Sequence, residues 1–407
     1  MKVKMLTKKI SASILALSMT AVLGLGYGNH ISAESEESSN SESSEVTEVT
    51  EEGQESSENS SQEASSAASE EAVVEETDED INPNGINIAM LKGPTAMGAA
   101  NLMVKERAKS NERDYNFTLM SSPNELVPRF IKGQFQMAAV PANLASTLYN
   151  KTQGNVQVLA INTLGVLYIV HNGDSDVSSF KDLDNKTIYA SGQGASPEAA
   201  LNFLVEKNGI KLNIEWKSEH SECLAAMAQE EGSFALLPQP FVTVAQTKNE
   251  NIKTVLDLNK EWENAVEDKS ALVTGVLIAD KKFVQENKEK VDQFLKEYEE
   301  SIKLTETNVD ESAANIAAFN IVPEPIAKKA LPFCNIHFIA GQELKDKLSA
   351  YLELLKEQND KLIGGEVPAD NFYYEYGSKD TSSSEEGSSN ESESESEETE
   401  ESTSLAA

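Results

Sequence analysis

Short apolar runs alternate with amphipathic segments in the first part of the central region of the chain. Buried strands are predicted at 86–91, 116–120, 137–141, 156–163 and 166–171. Helical spacing of apolar residues predicts helices between them, the first two at 95–109 and 124–132. Strands separated by helices over such distances form βαβ units, so this half of the pattern predicts a mostly parallel sheet.

The same pattern then begins again. Further strands are predicted at 187–191, 214–218, 234–238 and 271–279, with helices at 197–208 and 222–229. The segment near 258–266 is interpreted as a charged turn, and the chain after 280 as nearly all helical. Those helices are predicted at 281–305, 311–319, 324–331 and 341–359. The fold class predicted from the pattern is therefore α/β, with two similar halves and a helical C-terminal part.

Charge separates this central region from two flanking segments. The chain of 407 residues has a net charge of -34, but residues 34–80 hold 18 acids and no Lys or Arg, and 378–407 hold ten acids and one Lys. These Ser/Glu-rich segments lack the apolar residues that offset the entropy of ordering, so 34–83 and 378–407 are predicted to be disordered. A solvated spacer is favoured over a cation-binding or wall-interacting arm. Such an acidic chain repels phosphate backbones, which excludes nucleic acid as a partner.

The first 33 residues are predicted to be an export signal. Four lysines precede an apolar run at 14–25 that is too short to span a bilayer securely, and a small residue, Ala33, ends a plausible cleavage site. A membrane anchor is the less favoured alternative. No Cys stands near this segment to carry a lipid. We therefore expect an exported protein, extracellular or associated with the cell surface, without a lipoprotein Cys.

The residue types that carry catalysis or bind metals give no recognisable pattern. Cys223 and Cys334 lie in apolar surroundings, which favours two buried free thiols over one long-range disulfide. His171, His220 and His337 are scattered, without the spacing of a zinc site. The sequence has no GxSxG motif, and no pair of acidic residues stands out from the many surface acids as a catalytic pair. We therefore expect neither enzyme activity, nor a cofactor, nor a metal.

Small polar residues follow several of the predicted strands. In open α/β sheets, ligands bind beyond the carboxyl ends of the strands, where helix N-termini present free N–H groups. In KGPTAMG, Gly93, Pro94 and Thr95 offer such a loop, with an ordinary capped helix start as the alternative. In SGQGASP, the glycines and serines are equally consistent with an anion cradle and with a simple turn. The loops with Ser121, Asn143 and Gln239 follow three other strands.

These segments, taken in order, resemble a known family. INIAMLKGPTAMGAANLM, FIKGQFQMAAVPANLAS, TIYASGQGASPEAALNFLVEKNGI and ALLPQPFVT are similar to solute-binding proteins of ABC importers, in the branch for nitrate, sulfonate, taurine and thiamine precursors. The C-terminal part resembles Gram-positive members. The resemblance implies a type II periplasmic-binding-protein fold with two lobes and two hinge crossovers, near 170–173 and 273–276. Lobe 1 would be 84–171 plus 276–377, and lobe 2 would be 172–275.

The resemblance also implies a function. A small solute, either an anion such as nitrate or a sulfonate or else a pyrimidine-like ring, would bind between the lobes, and an ABC permease would receive it from a monomeric receptor. The ligand-binding residues implied are Gly93, Pro94, Thr95, Ser121, Asn143, Gly192, Gln193, Ser196 and Gln239. The chain departs from the family's eukaryotic pyrimidine synthases, because it lacks their Cys cluster. The alternatives are an enzyme of the pyrimidine or menaquinone pathways on this fold, and a cell-surface interaction protein.

Deleting 34–80 and 378–407 distinguishes the receptor from the cell-surface interaction protein. If the acidic segments are spacers, solute uptake by cells should survive the deletion, because the predicted cleft lies in the central region. The measurement is uptake of radiolabelled solute beside binding of the purified protein to intact cells. Lost cell binding with normal uptake would assign an adhesive role to the acidic segments.

Overall fold

The computed structural model describes residues 82–266 and 270–377. The predicted export signal and nearly all of both predicted acidic segments lie outside these ranges. No helix in the described part is long and apolar enough to cross a membrane. The described residues form two β-sheets with helices packed around them.

The first sheet has six strands in the order β11-β4-β10-β3-β1-β2. Its strands are β1 (Ile86–Leu91), β2 (Tyr115–Met120), β3 (Met137–Pro141), β4 (Val156–Leu164), β10 (Val273–Asp280) and β11 (Ile336–Ile339). Strands β1 to β4 run in one direction, whereas β10 and β11 run in the opposite one. Strands β1, β3 and β4 are almost wholly buried, which explains their continuous apolar runs, whereas β2 is only half buried.

The second sheet has five strands in the order β7-β6-β8-β5-β9. Its strands are β5 (Leu167–Asn172), β6 (Thr187–Ser191), β7 (Asn213–Lys217), β8 (Phe234–Pro238) and β9 (Ile252–Asp257). Strand β5 runs against its two neighbours, while the other four are mutually parallel. Each sheet therefore has a reversed strand inserted among parallel ones where the chain passes between the sheets, and the first sheet has β11 as a second reversed strand at its edge.

Thirteen α-helices connect the strands in the described residues. They are α1 (Pro94–Met97), α2 (Ala100–Arg107), α3 (Pro123–Ile131), α4 (Ala142–Lys151), α5 (Ser196–Asn208), α6 (His220–Gln229), α7 (Phe241–Lys248), α8 (Leu258–Ala265), α9 (Lys281–Glu286), α10 (Lys288–Thr307), α11 (Val309–Ala318), α12 (Glu324–Ala330) and α13 (Gly341–Gln358). Lobe 1 below means the first sheet with α1–α4 and α9–α13, and lobe 2 means the second sheet with α5–α8.

The chain passes between the sheets at two adjacent crossings. Residues 165–166 join β4 to β5, and Leu164, the last residue of β4, pairs with Val273, where the returning chain enters β10. Across the first crossing, Leu167 pairs with Pro238, the last residue of β8. The strand directions then place the carboxyl ends of the parallel strands of both sheets at the crossings.

Two asparagines hold the first crossing through the main chain of Gly165. The N–H of Gly165 donates to Asn259 Oδ1 from lobe 2 at 3.2 Å, and its carbonyl accepts from Asn335 Nδ2 of lobe 1. Nearby, the Tyr168 hydroxyl on β5 donates to the carbonyl of Phe333 in lobe 1 at 2.7 Å. These bonds satisfy polar groups that would otherwise be costly to bury.

An apolar contact also joins the lobes. Trp262 on α8 is only 1% exposed and lies 4.3 Å from the ring of Phe203 and 5.7 Å from that of Tyr351, between ring centres. Tyr351 belongs to α13, so lobe 1 supplies one side of this aromatic cluster. The largest core cluster accordingly contains residues of both sheets.

The predicted α/β fold of the type II periplasmic-binding class is confirmed, but several elements differ. The predicted charged turn is helix α8, which Asp257 caps by accepting from Asn259 N at 2.9 Å. The predicted all-helical C-terminal part contains the short edge strand β11. The predicted helix 95–109 is broken, because the Ser301 hydroxyl inserts between Gly98 O and Leu102 N.

Sheet membership also displaces the expected lobe boundaries. All of β5 belongs to the second sheet, although residues up to 171 were expected in lobe 1. Strand β10 belongs to the first sheet from Val273 onward, although residues up to 275 were expected in lobe 2. The apolar runs predict the strands themselves, but they do not reveal the sheet to which a strand belongs.

Both cysteines are expected to resist thiol reagents in the folded protein. They are free and buried, and burial raises the pKa of both thiols, that of Cys334 to about 12. Because the thiolate is the reactive form, Ellman's reagent at about pH 8 should label neither residue until the protein unfolds. The same sample in guanidinium chloride is the control and should release two thiols per chain. Stoichiometric labelling without denaturant would contradict the burial.

Candidate functional site

All nine predicted ligand-binding residues lie at or just beyond the carboxyl ends of parallel strands. In lobe 1 they follow β1, β2 and β3, and in lobe 2 they follow β6 and β8. These ends are the edges that meet at the crossings. The topology therefore brings the loops to one region between the lobes, the region where α/β sheets bind ligands.

The loop after β1 is held rigidly by its own side chain. Thr95 Oγ1 donates to the carbonyl of Leu91 at 2.9 Å, so this hydroxyl is used within the loop. Its methyl group packs against β10, where a Cβ on Gly275 would overlap Thr95 Cγ2. Gly93 and Pro94 form the start of the four-residue helix α1. The loop contributes shape and main-chain groups more than a free hydroxyl.

A buried polar network supports the same loop from below. Asn162 on β4 is 1% exposed, and its Nδ2 donates to the Tyr298 hydroxyl at 3.1 Å and to the carbonyl of Thr95 at 3.4 Å. Its Oδ1 accepts from Thr163 Oγ1 at 3.1 Å. Burial raises the pKa of Tyr298 well above its usual range, so that hydroxyl stays protonated. Each member of the network thus has a partner, which makes the support rigid.

The two other candidates of lobe 1 have different environments. Ser121 is exposed, and it is the next residue, Ser122, that caps α3 by accepting from Asn124 N at 3.1 Å. Asn143 lies in the first turn of α4, and its Nδ2 donates to the carbonyl of Leu362 at 3.3 Å. Asn143 therefore helps to fix the C-terminal segment against α4, a role that sequence reasoning did not foresee.

The glycine loop after β6 already holds a carboxylate. Gly192 and Gly194 both have positive φ, at 90° and 75°, which makes a tight turn before α5. The N–H of Gly194 donates to Glu198 Oε2 at 2.7 Å, so the chain's own acid takes one N–H group of the predicted anion cradle. Gln193 is exposed at the tip of the loop.

Ser196 connects the start of α5 to lobe 1. Its side chain lies near Tyr351, whose pKa burial raises to about 12 although the nearby Ser196 hydroxyl opposes the rise. Tyr351 belongs to α13 and packs on Trp262. Ser196 is thus a contact between the lobes as well as a candidate ligand residue.

Gln239 has the strongest position among the predicted residues. It is 4% exposed, its N–H donates to the carbonyl of Val166 in the crossing at 2.9 Å, and its Oε1 accepts from Thr243 Oγ1 at 2.9 Å. These bonds orient the amide, while Nε2 has no hydrogen-bond partner among the residues that the structure describes. A fixed amide donor beside the crossing is suited to a polar ligand atom.

Three side chains outside the nine predicted residues meet at the same edge of lobe 2, and only the serine among them belongs to a motif that the sequence singled out, SGQGASP. Ser191 ends β6, His220 begins α6 after β7, and Phe241 begins α7 after β8. The Oγ atom of Ser191 is 2.6 Å from Nδ1 of His220, and the rings of His220 and Phe241 lie 5.4 Å apart between centres. A lone His in the sequence gives no signal, because only the strand order β7-β6-β8 makes the three neighbours.

The charges around this edge are mostly paired within the protein. Lys217, at the end of β7, contacts Glu215 Oε2 at 3.1 Å and lies over the ring of Tyr189. The Tyr189 hydroxyl donates to Glu230, which raises the pKa of that tyrosine to about 12. In lobe 1, Lys92 after β1 is exposed. At the lobe 2 edge, Lys217 is thus paired with Glu215, while the carboxylate of Glu198 lies in the glycine loop.

Cavities elsewhere on the described surface lie apart from these loops. One of about 270 Å³ is lined from lobe 1 alone, by residues that include Thr305, Leu331, Asn335 and His337. Two others, of about 380 and 400 Å³, are lined by the start of β1 with α10 and by the segment around Tyr374. No group of three or more His, Cys, Asp or Glu side chains in the described ranges is arranged to hold a metal ion.

Comparison with known proteins agrees with the topology. Residues 121–312 match the family model described as NMT1/THI5 like. This segment is similar to the NMT1/THI5-like family. The family resemblance predicted from the sequence is thus confirmed, and no curated protein matches the chain.

Solved structures extend the likeness of the NMT1/THI5-like segment to the fold of the whole central region. An ABC transporter from Parabacteroides distasonis is 19% identical with a TM-score of 0.61, and covers 72% of this chain and 99% of its own. The periplasmic aliphatic sulphonate binding protein SsuA from Escherichia coli is 13% identical with a TM-score of 0.58, and covers 78% and 98%. A putative periplasmic sulfonate-binding protein SsuA from Methylobacillus flagellatus KT has 16% identity, a TM-score of 0.53 and coverage of 73% and 92%. At these identities the likeness establishes the fold.

The close approach of Thr95 to β10 predicts a compensating pair of substitutions. Gly275→Ala should lower the free energy of unfolding by about 1–3 kcal/mol, because the added methyl overlaps Thr95 Cγ2. Thr95→Ser removes that methyl and keeps the hydroxyl, so the double variant should recover part of the loss. Urea unfolding of the four proteins measures the coupling. Strictly additive effects would mean that the two residues do not meet.

Proposed function

We propose that the chain is an extracytoplasmic solute receptor that binds a small solute between its lobes and delivers it to an ABC permease. Lobe 1 would comprise the described residues up to Leu164 together with those from Val273 onward, and lobe 2 the residues between the crossings. No catalytic step is part of this proposal.

The observation that carries the proposal is the meeting of strand ends at the crossings. Leu164 pairs with Val273 and Leu167 with Pro238, so the loops after β1, β3, β6 and β8 converge from two sheets. A ligand at this place can contact both lobes at once. The fold shared with solved binding proteins supports the same interpretation.

Hinge closure is the mechanism that this arrangement supports. The two crossings, the bonds of Gly165 and the contacts around Tyr168 and Tyr351 join the lobes, so a rotation centred on the crossings moves the outer parts of the lobes most. A solute that touches both lobes stabilises the closed state by its differential affinity, and that difference alone shifts the population. The permease would distinguish the closed receptor from the open one.

The proposed solute is small and polar, either an anion of the nitrate or sulfonate kind or a pyrimidine-like ring. Gln239 Nε2 and the start of α5 offer hydrogen-bond donors, which suit oxygen or ring nitrogen acceptors. Export before binding is part of the proposal, since the basic and apolar pattern of 1–33 predicts a signal. The permease is the expected partner, and the receptor is expected to act as a monomer.

A panel of small solutes tests the proposal. Purified protein is heated with nitrate, methanesulfonate, taurine or cytosine, and hits are measured by calorimetry. A true solute at about 100 times its Kd should stabilise the fold by about 2.7 kcal/mol, a rise of several degrees in Tm. If no member stabilises an intact fold even at millimolar concentration, the proposed solute classes are wrong.

A matched pair of glutamine variants locates the binding site. Gln239→Ala should weaken binding of any hit, because it removes the amide donor beside the crossing. Gln246→Ala is the control: Gln246 lies on α7, the helix that begins two residues after Gln239, but it bonds Thr254 on the exposed side of lobe 2. Equal affinities in both variants would place the solute elsewhere on the molecule.

A further inference from the structure

The His220 ring lies among three adjacent strand ends of lobe 2. Strands β7, β6 and β8 are neighbours in the sheet, and His220, Ser191 and Phe241 stand at their carboxyl ends. Pro238, the last residue of β8, pairs with Leu167 at the crossing. The ring therefore stands at the edge of lobe 2 that faces the proposed solute site.

Two contacts fix the orientation of the ring. Its Nδ1 atom lies 2.6 Å from Ser191 Oγ, and the ring of Phe241 packs beside it at an interplanar angle of 52°. Ser191 is itself buried at 5% exposure, so its hydroxyl is a firm partner. A side chain held on two sides loses little further entropy when it binds a ligand.

The second ring nitrogen of His220, Nε2, is not engaged in this way by the residues that the structure describes. In the part of the chain that the structure describes, Nε2 of His220 makes no hydrogen bond, and it is not among the polar atoms sealed from solvent without a partner. The two nitrogens lie on opposite sides of the ring, so Nε2 is directed away from Ser191. It is thus a fixed polar atom that is open to a ligand, beside the apolar surface of Phe241.

The surroundings keep the ring uncharged at neutral pH. Burial lowers the pKa of His220, and the carboxylate of Glu219 opposes this only in part. The other titratable groups near this edge are engaged: Glu222 accepts from Ser218 N and Glu219 N, and Lys217 contacts Glu215. Burial also raises the pKa of the neighbouring Cys223 thiol, which stays neutral.

We propose that His220 is a specificity-determining residue of the solute site, which contacts the solute through Nε2 and selects an uncharged polar group over an anionic one. Ser191 is the positioning residue, since its hydroxyl fixes the ring. This inference rests on the proposed function, because it assigns a residue and a preference to the same site. The carboxylate of Glu198 in the glycine loop acts in the same direction, because it repels a second anion at the start of α5.

Four proteins test the inference: the unchanged chain, His220→Leu, His220→Gln and His171→Gln. His220→Leu removes the polar atom, whereas His220→Gln keeps an uncharged hydrogen-bonding group. His171→Gln is the matched control, because His171 also packs on a phenylalanine, at 4.9 Å from Phe234. It lies at the opposite edge of the second sheet, where β8 begins.

Calorimetry with cytosine, methanesulfonate and nitrate is the measurement. We expect cytosine to bind the unchanged chain more tightly than either anion, with a Kd that rises about tenfold in His220→Leu, less in His220→Gln and not at all in His171→Gln. Imidazole ¹⁵N spectra should show Nε2 of His220 shifting on addition of cytosine, a change that a merely structural role would not produce.

The outcomes distinguish a failure of the proposed role of His220 from a failure of the proposed receptor function. If a probe binds all four proteins equally, or an anion binds best, the receptor function stands and the role of His220 is overturned. If no probe binds the unchanged chain, the proposed function fails and the inference falls with it. Circular dichroism of each variant confirms that a lost affinity is not a lost fold.

Discussion

The strand pairing at the two crossings is the constraint on which the rest of the molecule depends. Leu164 pairs with Val273 in the first sheet, and Leu167 pairs with Pro238 in the second. Residues 165–166, between these two pairs, therefore fix how the strands of each sheet enter the crossing. A slip of one residue there would reverse which side chains face the core. Gly165 carries this stretch with its N–H and carbonyl both bonded, one to each lobe. These few bonds at the crossings therefore also fix the positions of the loops that form the proposed site.

The two lobes contribute unequally to that site. In lobe 1, the hydroxyl of Thr95 and the amide of Asn143 are used inside the protein, and Asn162 holds the loop from below. In lobe 2, Gln239 and His220 are each fixed through one atom, and a second polar atom of each has no hydrogen-bond partner within residues 82–266 and 270–377. Lobe 1 thus contributes mainly a rigid shape to the proposed site, whereas lobe 2 contributes oriented hydrogen-bonding atoms. We infer that lobe 2 carries most of the specificity.

The sequence predicts the fold better than the site, and the reasons are physical. Buried parallel strands give continuous apolar runs, so β1, β3 and β8 are predicted within a residue or two. Helix α8 is missed because its eight residues are mostly polar and only Leu258, Asn259 and Trp262 are buried. The helix break at Gly98 depends on Ser301, about 200 positions away in sequence, which no local pattern contains. The cluster of Ser191, His220 and Phe241 likewise needs the strand order.

The charge of the solute cannot be inferred from proteins that share only the fold. Two of the solved structures are described as sulphonate- or sulfonate-binding, but they are only 13% and 16% identical to this chain, and function depends on side chains that such likeness does not fix. Here the glycine loop, which would suit an anion, gives the N–H of Gly194 to Glu198. An external anion bound at this loop would lie near that carboxylate, against Coulomb repulsion in a partly desolvated cleft. A neutral polar solute meets no such opposition, and the oriented amide of Gln239 and imidazole of His220 remain available to bind it.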